Sequence, residues 1–100
     1  MDKKMESDSN VCWVFRLYVA GAAPYSQRAL VTIRSIGQEF LGGNFRLEIV
    51  NVLENPTQAL QDGILATPTL VKLSPEPLVR LIGDLSDRSR VLVALGISDQ

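Results

Sequence analysis

Alternating strand and helix signals predict a single mixed α/β domain, and three observations carry that expectation. A chain of 100 residues leaves room for one domain. Its 46% hydrophobic and 21% charged content is that of an ordinary globular protein, neither disordered nor fibrous. Apolar runs rich in β-branched and aromatic residues alternate with segments of helical spacing, in the order βαβαββα. A chain of this size hides roughly 60–70% of its unfolded surface, enough for one core without disulfide or metal staples.

Each element has a local cause. Residues 1–10 are polar and charged and read as a disordered tail, ahead of a domain over residues 11–97; residues 98–100 form a short C-terminal tail. Cys12 to Ala20 is nearly continuous in apolar character, the pattern of a strand covered on both faces. Gly21 to Ala23 break it, and Pro24 suits the first turn of a helix, where its missing N–H costs nothing. Ala29, Leu30, Ile33, Ile36, Phe40 and Leu41 recur at helical spacing over Tyr25 to Leu41. Gly42-Gly43 supplies the stop. Phe45 to Leu53 reads as a second strand, and Asn55-Pro56 starts a short helix over Thr57 to Asp62, closed by Gly63. Thr69 to Leu73 and Leu78 to Ile82 flank Ser74-Pro75-Glu76-Pro77 as a hairpin. A last helix runs over Asp87 to Leu95 and stops at Gly96. Strands one to three are expected to be parallel through right-handed crossovers, with the fourth antiparallel beside the third. The order is thioredoxin-like.

Composition excludes much chemistry. Cys12 is the single cysteine and there is no histidine, so an intrachain disulfide, a Cys/His zinc site and His-based triads all lack their parts. The chain has no Gly-x-Gly-x-x-Gly or Walker A loop, so no nucleotide cofactor of known pattern is expected. A formal net charge of −1 argues against nucleic-acid binding by bulk electrostatics. Apolar runs fall short of the ~20 residues of a membrane span, and no signal peptide is evident, so a cytoplasmic protein is expected. Chemistry is the weaker expectation.

Two kinds of resemblance sharpen this reading. Ala23-Pro24-Tyr25-Ser26 resembles the glutaredoxin Cys-Pro-Tyr-Cys site with both sulfurs removed, and the thiolate that the chemistry needs is missing. Ala66-Thr67-Pro68-Thr69 stands where that fold carries a cis-proline. On a larger scale, Leu17-Tyr18-Val19-Ala20-Gly21, Ile64-Leu65-Ala66-Thr67-Pro68-Thr69-Leu70 and Ile82-Gly83-Asp84-Leu85-Ser86, with Arg28-Ala29-Leu30 and Asn55-Pro56, resemble the KaiB family of circadian-clock proteins. The likeness runs from about Leu17 to Leu95 and implies a non-catalytic protein that binds KaiC, a P-loop ATPase ring, and modulates its phosphorylation. It implies further partners (KaiA, or a SasA-like sensor kinase) and a homo-oligomer, dimer or tetramer, in the free state. It also implies metamorphism: a ground-state packing whose C-terminal half rearranges into the thioredoxin-like form.

The same resemblance marks Arg28, Asp62, Lys72 and Arg80 as partner-binding positions, with solvated surface charge as the plainer alternative for the cations. Pro68, Gly83, Asp84, Ala94 and Gly96 fall in the region that switches. Three positions depart from the clock members: Gly63 replaces a usual Lys, Ala94 a usual Gly and Gly96 a usual Asp. The sequence also carries no counterpart of their acidic C-terminal tail. Two other functions stay open: a paralogue serving stress adaptation, and a redox relic acting through Cys12, which reads as an inert core thiol.

Overall fold

Side chains alternate across the first strand, and that alternation builds two cores. The computed structural model describes residues 12–97, so the expected tails lie outside the described residues. The elements are β1 (Trp13–Val19), α1 (Pro24–Phe40), β2 (Phe45–Asn51), α2 (Pro56–Gln61), β3 (Thr69–Ser74), β4 (Val79–Ile82) and α3 (Arg88–Leu95). Phe15, Leu17 and Val19 point to one face of the sheet, where Ala29, Ile33 and Ile36 of α1 and Val91, Leu92 and Leu95 of α3 cover them. Tyr18 points to the other face and packs with Val50 and Val71. Gly37 has its own reason: a Cβ there would lie 2.2 Å from the Phe45 ring, so only glycine lets β2 dock on α1.

The expected order holds and one direction does not. The sheet runs β2-β1-β3-β4, with β1 and β2 parallel and β3 and β4 antiparallel. β3, however, pairs antiparallel with β1, not parallel as the crossover reading expected. Length explains the difference. The 17 residues of α1 span about 26 Å and can return the chain along a seven-residue strand of about 23 Å. The six residues of α2 span about 9 Å, so the chain cannot return and re-enters from the end at which β2 leaves. For the same reason the second face is only part covered: Val14 and Arg16 are half-buried, and Arg16 pairs at 2.8 Å with Glu48.

Helix ends follow the residues that stop them. Asp87 caps α3 by accepting from the Arg90 N–H, and Gly96 closes it with φ +75°, a left-handed conformation that favours glycine. Arg88 at its start pairs with Glu39 of α1. The Thr67–Pro68 peptide is cis, as are Ser74–Pro75 and Glu76–Pro77.

Candidate docking surface

The turn that would hold redox chemistry is built without it. Ala23 precedes α1 with no side-chain cap, and Pro24 opens the helix. Ser26 is buried and its Oγ accepts from the Ala20 N–H at 3.3 Å, which fixes the turn and keeps this hydroxyl from solvent. Cys12 is half-buried and precedes β1, so it is not the core thiol expected. It also lies at the far end of that strand from the turn, about 23 Å away. Among the described residues no group of Cys, Asp and Glu could hold a metal ion.

The four positions marked as partner-binding do not form one cluster. Asp62 and Arg80 come together at the end of α2. The Tyr18 hydroxyl donates to Asp62 Oδ2 at 2.7 Å, while Arg80 donates from Nη2 to the Asp62 carbonyl at 3.0 Å and from Nη1 to the Gly63 carbonyl at 3.3 Å. Burial pushes the Tyr18 phenol above its ordinary value of 10.0; Arg16 opposes this and the bond to Asp62 adds to it. It therefore stays a neutral donor. Gly63 has φ +72°, a backbone that disfavours the Lys expected from clock members.

Arg28 stands elsewhere. It is exposed on α1, its guanidinium carbon 4.6 Å from the centre of the Tyr25 ring, and borders an open groove of about 320 Å³ with Gln27, Val31, Thr32 and Ser86. Beside it Asp84 accepts from the Ser86 hydroxyl at 2.7 Å and from its N–H at 3.0 Å, which holds the carboxyl below its ordinary value of 3.8. Lys72 contradicts the surface reading. It is only 3% exposed, opposite Phe15 on β1 and Val79 on β4, with Nζ 5.1 Å from the centre of the Trp13 ring. In a sheet covered by α1 and α3, its place in β3 puts the ammonium under the cover rather than on the rim.

The positions expected to switch sit around the C-terminal elements. Pro68 is buried ahead of β3, and Gly83 (φ +109°) and Asp84 follow β4. Ala94 is half-buried within α3 and Gly96 ends it.

Residues that the sequence reading passed over complete the surface. Around α2, Leu53 is 70% exposed, Leu60 76% and Leu65 92%. Leu65 also lines a shallow cleft of about 200 Å³ with Val52, Ile64, Ala66 and Thr67. The available signal was the length of α2: a six-residue helix buries one position, here Ala59, so its leucine had to face outward.

Fold and site together define a thioredoxin-like domain whose turn at Ala23 to Ser26 carries no thiol and which exposes apolar side chains around a short helix. Solved structures agree at the level of fold. The N-terminal domain of Synechococcus elongatus SasA superposes with a TM-score of 0.69 at 23% identity, covering 90% of this chain and 89% of that one. Chloroplastic thioredoxin z superposes with a TM-score of 0.71 at 18% identity, covering 94% and 86%. The family model of the KaiB domain matches residues 16–97. The chain is 52% identical over 85 residues to the circadian clock oscillator protein KaiB of Prochlorococcus marinus, covering 85% of this chain and 73% of that protein. It belongs to the KaiB family. No helix among the described residues is long and apolar enough to cross a membrane.

Proposed function

We propose that this protein is a non-catalytic, cytoplasmic clock regulator that docks on a KaiC-like P-loop ATPase ring and modulates its phosphorylation. Further partners are KaiA or a SasA-like sensor kinase, and the free protein is a homo-oligomer. The relatives are named as circadian clock oscillator proteins, and the likeness to them spans the folded part of this chain. The observation that carries the reading is the apolar surface at α2, where Leu60 and Leu65 are exposed beside Asp62. Exposed apolar patches of this kind on a soluble domain are typical of interaction sites. Arg28, on the opposite face of the sheet, serves a separate contact, and Lys72 acts in packing rather than docking. The thiol-free turn at Ala23 to Ser26 and the remote Cys12 give the redox alternative no support.

The test is co-elution of the purified protein with the KaiC-like ATPase of its own host, with nucleotide present. A stable complex and an altered rate of phosphate turnover on the ring are the expected outcome. Free elution of both at micromolar concentrations would defeat the proposal.

A further inference from the structure

Helix α2 cannot hold its own position. It has six residues, far below the ~12–15 that make an isolated helix marginally stable in water. Asn55 stands at its N-cap with no side-chain bond to the helix, its Nδ2 donating back to the Asn51 carbonyl at 3.0 Å, and Ala59 is its one buried residue. Its last turn is instead held from outside, by Tyr18 of β1 on the Asp62 carboxylate and by Arg80 of β4 on the carbonyls of Asp62 and Gly63. The guanidinium suits that place, since the C-terminal carbonyls of a helix lack partners and carry its negative end. Arg80 can serve two oxygens at once because its fork of donors is planar, and Gly63 turns the chain there with φ +72°, a left-handed conformation that favours glycine.

We infer that Arg80 is a positioning residue, a strut that ties α2 to β4 and makes the surface α2 presents conditional on the hairpin being in place. This rests on the reading of α2 as the docking helix. It assigns Arg80 a role different from direct contact with a partner: although the side chain is exposed, each of its terminal nitrogens already donates one bond within the chain. Any rearrangement that removes β4 from the sheet removes the strut and frees the leucine-bearing turn.

Two measurements test it. In the free protein, the amides of Asp62, Gly63 and Ile64 bond to the carbonyls of Gln58, Leu60 and Ala59. Arg80→Ala should lower their protection from hydrogen exchange about tenfold while the amides of α1 keep theirs, and Arg80→Lys should restore part of it. Unchanged exchange at all three would overturn the strut. In binding to the KaiC-like ring, Arg80→Ala and Leu60→Ala should be non-additive, the double variant binding within about twofold of Leu60→Ala alone. Losses that multiply would mean that Arg80 touches the partner itself and would overturn the inference. Failure of the unmodified protein to bind would defeat the docking reading and the conditional surface with it, and the exchange data would then decide the strut alone.

Discussion

Replacing Lys72 by Glu should lower the thermal stability of this protein measurably, which the same change at a surface cation would not do. Lys72 is 3% exposed and its ammonium rests 5.1 Å from the Trp13 ring centre. The ring face attracts that charge by about 0.5–2 kcal/mol and would repel a carboxylate. Losing that attraction and adding a repulsion of similar size costs about 1–4 kcal/mol, and no ion pair among the described residues reaches this position to offset it. That is a large part of the roughly 5–15 kcal/mol that holds a domain folded. At about 4–8 °C per kcal/mol for a domain of this size, Tm should fall by at least ~4 °C. Lys72→Met, which keeps the unbranched stem without the charge, should change stability by less than about 1.5 kcal/mol. Thermal unfolding followed by circular dichroism, with Trp13 emission as a second probe, reads both variants. A Lys72→Glu protein melting within ~3 °C of the unmodified one would refute the packing argument and return Lys72 to the surface.

Other predictions follow from α3, the Asp84 turn and the thiol-free turn at Ala23 to Ser26. Ala94→Gly with Gly96→Asp should weaken α3 by about 2–3 kcal/mol, since glycine costs a helix about 1 and a non-glycine residue at φ +75° about 1–2; unchanged backbone NMR shifts over residues 88–95 and an unchanged Tm would contradict this. Ser86→Ala should raise the Asp84 midpoint, read by NMR titration, toward 3.8, because the Ser86 hydroxyl bond that lowers it is gone. The sign follows: a depressed carboxyl contributes stability above about pH 3.8 that is lost as the pH falls through its folded midpoint, so that acid-side contribution should shrink in Ser86→Ala. A dithiol reduction assay should show no turnover above buffer, and activity that disappears in Cys12→Ser would revive the redox reading.

Much of the fold was legible because its signals are local. Pro24, Gly42-Gly43, Asp87 and Gly96 mark helix ends by their own backbone and capping chemistry, and the structure places the ends there. The direction of β3 was not read, although the shortness of Thr57 to Asp62 held the information: a helix of six residues cannot carry a parallel crossover. Lys72 was misread because a strand with apolar residues at 70, 71 and 73 names no inner face for the residue between them. The convergence of Tyr18, Asp62 and Arg80 joins positions 44 and 18 residues apart, and periodicity carries no signal at such separations. Asp62 and Arg80 were flagged only singly, through resemblance, and their mutual contact is a property of the folded chain.

The central claim is that the surface at α2 docks on a KaiC-like ring, and one measurement addresses it most directly. Leu60→Asp and Leu65→Asp, at positions 76% and 92% exposed, should leave Tm within ~3 °C while surface plasmon resonance against the immobilised ring shows binding reduced at least tenfold. Binding by the double variant equal to that of the unmodified protein would contradict the account.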